Sequence, residues 1–249
     1  MIKPFVMVAP TGARRGKADH PALPVTPDEI VSAAGDCFAA GADAIHLHVR
    51  DEDGAHTLDA GLYREVLAEL SRAVPGMRVQ ITTESAGIHS VAEQLDCLRR
   101  VRPSWASVSV REVAREEDMA ARFYNTCGDN GAEIQHILYD EGDARLLARW
   151  VREGILPDAP SVLFVLGRHH ETNEPTRDIV TSLLSLLPPV PEWMLCAFGR
   201  QEHQRLCEAA ALGGGLRVGF ENSLVDANGR KHGSNAESVR ALVRKLGEN

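Results

Sequence analysis

Eight short apolar runs alternate along this chain with eight longer stretches of helical periodicity, and this alternation limits the possible folds more than any other feature. The runs are rich in residues that favour β-strands. They cover residues 5–9, 44–49, 78–83, 105–110, 133–139, 161–166, 194–198 and 216–220. The helical stretches cover residues 26–40, 60–72, 91–101, 116–130, 144–154, 177–187, 201–211 and 236–246.

Strands interleaved with helices of this length are typical of βαβ units and a parallel sheet. Eight of each is the number in a (β/α)8 barrel, and 249 residues is an ordinary length for that fold as one domain. No low-complexity segment, charge block or proline-rich linker divides the chain. We therefore predict an α/β fold, a single (β/α)8 TIM barrel over residues 1–249, with a doubly wound open sheet as the alternative.

Helix boundary signals agree with this division of the chain. Thr26, Pro27 and Glu29 form a predicted capping box with proline at the first helical position. Gly41 stands just past the same helix, where a C-terminal glycine belongs. Ser234 or Asn235 can cap the last helix.

Composition excludes several classes of partner. The formal net charge of −8 disfavours nonspecific binding to nucleic acid or an anionic membrane. No apolar stretch approaches the roughly 18 residues of a membrane helix, and Pro10 interrupts the N-terminal run, so we expect neither a span nor a signal peptide. The five cysteines are scattered without a C-x-x-C pair, which favours free thiols and a cytoplasmic location, with Cys37 and Cys196 buried.

His46 and His48 stand two residues apart near the end of the second predicted strand. Residues i and i+2 of a strand point to the same face, so both imidazoles project side by side. Two imidazoles on one face supply half of a zinc site and leave room for a third ligand and a substrate. The polar segment 50–54 follows, which places the pair where parallel α/β folds bind ligands. Two hydrogen-bonded strand histidines without a metal are the alternative.

Glu221 follows the eighth predicted strand, which would close the barrel against the first strand. It could therefore reach a metal held by the two histidines, and two histidines with one carboxylate form a catalytic zinc arrangement. Arg217 on the same strand could hold a substrate carboxylate with its guanidinium. A surface carboxylate and a rim ion pair are the respective alternatives.

Other polar motifs carry less weight. The adjacent His169 and His170 would point to opposite faces of an extended chain, which favours a loop role over a joint metal site. His136 is interpreted as a hydrogen-bonded core histidine. The glycines at 213–215 precede the eighth strand, at the other end of the barrel, and predict a tight turn, since they lack the context of a phosphate-binding loop.

Seven segments resemble, in order along the chain, the β-keto acid cleavage enzyme family, whose founding activity is 3-keto-5-aminohexanoate cleavage. The segments are 9–13, 20–30, 46–51 with Gly54, 80–83, 197–199, 217–222 and 235–236. The resemblance implies a (β/α)8 barrel with a divalent metal, usually zinc, that commonly forms homotetramers. It also implies condensation of a β-keto acid with acetyl-CoA, which yields acetoacetate and the CoA thioester of the shortened acid.

The same resemblance implies roles for individual residues. His46, His48 and Glu221 would be the metal ligands, and Arg217 would bind or orient the substrate carboxylate. The hydroxyls of Thr82, Ser107 and Ser109 would line the substrate pocket. The surroundings of Arg14, Glu112 and Tyr139 would select the distal group of the substrate.

Two departures from the family pattern concern the catalytic base. Asn222 stands where the founding pattern has the aspartate assigned as base, and an amide cannot accept that proton. Glu84 stands where the pattern has glycine, so the sequence suggests a base relocated to Glu84. A salt bridge at the rim, for instance with Arg111, is the alternative role for Glu84.

Two other functions remain open from the sequence. An amidohydrolase-like zinc hydrolase also carries His-x-His in a barrel, but on the first strand and with an aspartate after the eighth. A barrel that binds a metal and a keto acid without turning it over would be compatible with Asn222. For the condensing enzyme, we expect a homo-oligomer, a tetramer or dimer.

Overall fold

The computed structural model describes residues 3–168 and 174–248. Eight parallel strands close into a barrel in which each strand contacts the next along the chain and the last contacts the first. These strands are β1 (Val6–Val8), β2 (Ala44–Leu47), β5 (Arg78–Thr82), β6 (Trp105–Ser109), β7 (Glu133–Leu138), β8 (Ser161–Leu166), β9 (Trp193–Ala197) and β10 (Gly215–Val218). The predicted barrel is thereby confirmed.

Helices follow the barrel strands and pack around them. They are α1 (Pro27–Ala39), α2 (Ala60–Ala73), α3 (Val91–Val101), α4 (Val110–Val113), α5 (Ala120–Asp129), α6 (Glu141–Arg152), α7 (Thr176–Ser185), α8 (Glu202–Ala211) and α9 (Asn235–Gly247). The capping box predicted for the first helix is present, since Thr26 accepts from the Glu29 backbone and Glu29 accepts from the Thr26 backbone. Of the described helices, none is long and apolar enough to cross a membrane.

The chain departs from the prediction between β6 and α5. Residues 116–130 were expected to form one helix, but the chain turns directly from Ser109 into α4 and a 3-10 helix, Ala114–Met119. Glu116 has non-helical dihedrals (φ −135°, ψ 70°), which interrupt the helical path. The apolar Val110, predicted to end the strand, instead begins α4 and is buried there.

A second departure is a two-stranded antiparallel hairpin of β3 (Val49–Arg50) and β4 (His56–Thr57). It lies directly after the two histidines, so the predicted second strand ends at Leu47 rather than at Val49. Arg50 is buried in this hairpin and donates to the carbonyl oxygens of Gly12, Arg15 and Gly54. The hairpin thus holds the loop after β1 against the end of β2.

The strands have one apolar layer on their outer face and another on their inner face. Between the strands and the helices lies the larger core, in which Tyr63, Phe123, Trp150 and Phe164 are fully buried. A smaller cluster fills the barrel interior, with Met7, Ala44, Trp105, Ile137, Leu163, Val165, Met194 and Cys196. The five cysteines are free, and Cys37 and Cys196 are buried as expected.

Candidate functional site

The two histidines lie at the C-terminal end of the barrel with their imidazoles facing each other. His46 is in β2 and His48 directly follows it, and both side chains are fully buried. Their Nε2 atoms are 3.2 Å apart, and the ring planes make an angle of 73°. The same-face projection expected from their spacing is therefore present.

Glu221 reaches the histidines because the barrel closes between β10 and β1. The Glu221 N–H donates to the Ala9 carbonyl over 3.1 Å, so the chain beyond β10 stays beside the end of β1. This close approach requires Gly219 (φ +142°), where a Cβ atom would lie 2.5 Å from the Ala9 oxygen. Gly12 (φ +64°) is equally constrained, since its Cβ would lie 2.7 Å from Cγ of Glu221.

The three donor atoms form a triangle of the size that a small cation requires. Glu221 Oε2 lies 3.7 Å from His46 Nε2 and 3.6 Å from His48 Nε2. A tetrahedral ion with bonds of about 2.0–2.2 Å separates its ligands by about 3.3–3.6 Å. Within residues 3–168 and 174–248, Glu221 Oε2 is buried without a hydrogen-bond partner, and these three residues are the group that could hold a metal ion.

The electrostatics of the triad suit metal binding. Burial lowers the pKa of His46 to about 4, helped by the charge of Arg217, and burial also lowers the pKa of His48 well below its usual value. Burial alone would raise the pKa of Glu221, but Arg217 and His46 shift it below its ordinary value. The ligands are therefore neutral imidazoles and a carboxylate, the protonation states that a divalent metal requires.

Arg217 brings a buried positive charge beside the triad. Its Nη2 donates to Oε1 of Glu221 and to Sγ of Cys196, each over 3.3 Å. In the part of the chain that the structure describes, its Nε and Nη1 are buried without a hydrogen-bond partner. Because a buried guanidinium with free N–H groups is costly, the arrangement suits an anionic ligand such as a carboxylate.

Glu84 faces the triad from the loop after β5. Its Oε2 lies 3.9 Å from His48 Nε2, and its Oε1 accepts from Arg168 over 3.4 Å. Burial raises the pKa of Glu84 to about 7, and the nearby charge of Glu221 adds to the effect. The suggested salt bridge to Arg111 is wrong, because Arg111 instead pairs with Asp140 and Asp143.

Two hydroxyls line the pocket, and a third is buried on the strand next to one of them. Thr82 and Ser109 line the pocket together with Arg217 and Glu84. Ser107 pairs with Thr82 in the sheet and is buried. Among the described residues, Ser107 Oγ and Ser109 Oγ find no hydrogen-bond partner, so both could bond to a ligand.

The remaining three candidates, all within the described residues, are not among those that line this pocket. Arg14 is exposed, although its charge lowers the pKa of Glu84 and so acts across the pocket. Glu112 accepts hydrogen bonds from Ser85 and Gln94, which hold the loop after β5. Asn222 is fully buried, and its Nδ2 donates to the Arg217 carbonyl and to Glu202.

Glu202, from the start of α8, supports the turn that carries Glu221. Its Oε1 accepts from the Gly219 backbone over 3.0 Å and from Asn222 over 3.2 Å. Burial raises the pKa of Glu202 to about 8, and these hydrogen bonds oppose the shift only in part. The shift favours the protonated form of this carboxyl at neutral pH.

This shift predicts a pH dependence of stability. Because the folded-state pKa is about 8 and the ordinary value 4.5, the folded state binds the extra proton between these values. The free energy of unfolding should then fall as the pH rises through this window. In Glu202→Gln the fall should be smaller, as denaturant titrations at several pH values would show. Equal pH dependence in both proteins would contradict the assignment.

Of three further pocket residues, Tyr139 belonged to the predicted surroundings of the substrate, whereas Arg168 and Phe198 were missing from the predicted site. Tyr139, Arg168 and Phe198 line the pocket beside the triad, and the Arg168 guanidinium lies over the Phe198 ring at 4.8 Å. Tyr139, Arg168 and Phe198 come at or just after strand ends. The sequence predicts where the strands end, but it does not predict which side chains beyond those ends point into the pocket. A neighbouring cavity of about 230 Å³ shares Tyr139 and Arg168 with the pocket.

The weaker sequence candidates stay apart from the triad. His136 is a buried core histidine against Tyr124, with ring centroids 5.4 Å apart. The glycines at 213–215 form the turn into β10, and Gly213 has a φ of +87°. His169 and His170 lie outside the described residues.

Comparisons of sequence identify relatives over almost the full length. The family model described as beta-keto acid cleavage enzyme matches residues 3–249. The 3-keto-5-aminohexanoate cleavage enzyme of Fusobacterium nucleatum is 28% identical, over 98% of this chain and 91% of its own. The 3-oxoadipate:acetyl-CoA acetyltransferase of Cupriavidus necator is 25% identical, over 90% of this chain and 82% of its own.

Comparisons of structure agree on the fold alone. The apo structure of ObcA superposes with a TM-score of 0.65 at 18% identity, and the match covers 92% of this chain but 62% of that one. A type I 3-dehydroquinate dehydratase from Clostridium difficile gives a TM-score of 0.64 at 12% identity, over 99% of this chain and 93% of that one.

Proposed function

The chain belongs to the beta-keto acid cleavage enzyme family, and from this premise we propose that it condenses a β-keto acid with acetyl-CoA. The products are acetoacetate and a new acyl-CoA. The observation that carries the proposal is the convergence of His46, His48 and Glu221 beside Arg217, whose Nε and Nη1 find no partner among the described residues. The single barrel, residues 1–249, is the catalytic domain.

The donor set favours zinc as the ion, since two imidazoles and one carboxylate leave a fourth position open. When bound, the ion stabilises negative charge that develops on the substrate oxygens. Arg217 binds the substrate carboxylate through its free Nε and Nη1, which fixes the acid in one orientation. The hydroxyls of Ser107 and Ser109 donate to substrate oxygens from the neighbouring strand.

Glu84 is the base in this proposal. A β-keto acid must lose a proton from the carbon between its carbonyl groups before that carbon can attack the thioester. Glu84 faces the triad, and its pKa of about 7 suits proton transfer near neutral pH. Asn222 cannot take this proton, and its amide instead holds the turn that carries Glu221.

The reaction balances without another reactant. The carbanion attacks the acetyl carbonyl, and the CoA thiolate leaves. The thiolate then attacks the original keto carbonyl, the C–C bond breaks, and the carbon that becomes C2 of acetoacetate takes back the proton. The cavity of about 230 Å³ beside Tyr139 and Arg168 lies next to the pocket. We propose that acetyl-CoA enters the site through this cavity.

Substrate selection is assigned to the rim. Arg14 and Glu112, whose charges both act on Glu84, would meet the distal group of the acid together with Thr82. The protein is proposed to work in the cytoplasm, which the free cysteines support. As the family resemblance implies, it is proposed to be a homo-oligomer, a tetramer or dimer, which light scattering after gel filtration would test.

The direct test is an assay with a panel of β-keto acids. Zinc-loaded protein is incubated with each acid, with and without acetyl-CoA, and acetoacetate and acyl-CoA are measured. We expect both products in equal amounts, and only when acetyl-CoA is present. Hydrolysis of amides or lactones without acetyl-CoA, or tight binding of a keto acid without turnover, would contradict the proposal.

A further inference from the structure

A row of buried side chains runs from the triad into the barrel interior. Nδ1 of His46 lies 2.9 Å from Oε1 of Gln80, and Nε2 of Gln80 donates to Oε1 of Gln135 over 3.2 Å. All three side chains are at most 1% exposed. Gln135 also lines a cavity of about 480 Å³ at the N-terminal ends of the strands, so the row extends toward the far end of the barrel.

The two glutamine side chains are uncharged polar groups buried in the barrel interior. Alternate strands of a (β/α)8 barrel contribute to the same interior layer, which is how Gln80 of β5 meets Gln135 of β7 across β6. A cluster of apolar and sulfur-containing side chains fills much of the same interior. Because a buried amide is costly unless it is hydrogen-bonded, two glutamines here require a reason beyond filling space.

Metal binding at the triad determines which atom donates and which accepts in each hydrogen bond along this row. Metal binding through Nε2 leaves the hydrogen of His46 on Nδ1, so the group opposite must be an acceptor. Gln80 meets this need only when Oε1 faces His46, and its NH₂ group then points to Gln135. Oε1 of Gln135 accepts from this NH₂ group and so satisfies Gln80 in the orientation that His46 needs.

We propose that Gln80 and Gln135 are positioning residues for the metal, which fix the ring orientation and the tautomer of His46 through a directional pair of amides. Neither glutamine contacts the ion or the substrate. The inference rests on the proposed metal site. Beyond that site, the inference says that affinity for the ion depends on the Gln135 amide, which is separated from the ion by the side chains of His46 and Gln80.

Zinc affinity of matched variants tests this inference. The dissociation constant is measured by competition with a chromophoric chelator for the wild type, Gln80→Met, Gln135→Met and Gln135→Glu. We expect Gln80→Met to weaken zinc binding about 10- to 100-fold, the range for lost outer partners of metal ligands. Gln135→Met should weaken it less, and Gln135→Glu should restore it, because it keeps an acceptor for Gln80.

Met7→Leu serves as the control for repacking of the barrel interior, since Met7 belongs to the apolar interior cluster. It should bind zinc as the wild type does. Wild-type affinity in Gln80→Met and Gln135→Met would overturn the inference. So would equal losses in Met7→Leu and the glutamine variants.

A second readout needs no metal. Nitrogen-15 chemical shifts of the His46 ring report which nitrogen carries the hydrogen in the zinc-free protein. We expect the Nδ1–H form in the wild type and in Gln135→Glu, and a loss of that preference in Gln80→Met. An unchanged tautomer would refute the role of Gln80. If the wild type bound no zinc at all, the metal proposal would fail, yet this comparison would still decide whether the amides orient His46.

Discussion

Glu221→Ala is expected to release the metal that the wild-type protein retains, and to stop turnover with it. The variant removes one of three protein ligands and leaves Arg217 beside the two imidazoles without its carboxylate partner. The loss of affinity should exceed the roughly 10- to 100-fold expected for an outer partner such as Gln80. Elemental analysis after dialysis against a weak chelator would measure the bound metal.

The matched control is Glu52→Ala, which removes an exposed carboxylate from the loop after the histidines. It should retain the wild-type amount of metal and the wild-type rate. Stoichiometric metal in Glu221→Ala would refute the proposed triad. Circular dichroism must show that the variant is folded, and His46→Ala offers an independent removal of another ligand.

Glu84→Gln should lower kcat by about 10²- to 10⁴-fold while the metal stays bound, because an amide cannot take the proton from the substrate. The substitution keeps the shape of the side chain and an oxygen that can accept from Arg168. Steady-state kinetics with zinc-loaded protein would give the rate. Exchange of the substrate's α-proton with deuterated water, without acetyl-CoA, would isolate the proton transfer.

A structural role for Glu84 predicts a different pattern. If the carboxylate served only to pair with Arg168, Glu84→Gln would change KM or stability and leave the enzyme-catalysed proton exchange intact. Glu52→Gln provides the control for loss of an exposed negative charge, and it should exchange the proton at the wild-type rate. Full turnover in metal-loaded Glu84→Gln would place the base elsewhere.

Local patterns were sufficient to predict the barrel. Each barrel strand is a short apolar run, and the capping box at Thr26 marks the first helix as the sequence suggested. The β3–β4 hairpin was missed because Val49 and Arg50 continue the apolar and polar alternation of the preceding strand. The interruption at Glu116 was missed because helical periodicity in the sequence does not report a local change of backbone dihedrals.

The site was predictable where it depends on spacing along the chain. The shared face of His46 and His48 can be predicted from the two-residue period of a strand alone. The proximity of Glu221 can be predicted once the strand count implies that β10 closes on β1. The charge partner of Glu84 was not predictable, since Arg168 and Arg111 both follow strand ends and tertiary packing decides between them. The contact of Gln80 with Gln135 likewise depends on the interior layers, which have no signature in sequence spacing.

The position of the triad across the closing point of the barrel would also lengthen the lifetime of the folded protein once an ion is bound. Most of the chain lies between His48 and Glu221, and β1 is the strand that separates their two ends of the sheet. An ion bound to both ends would join them into one loop, and such a cross-link reduces the freedom of the unfolded chain. The ion would bind the native state alone and so favour it by mass action. Depletion of zinc would then expose the enzyme to proteolysis, so metal supply would govern its amount as well as its rate.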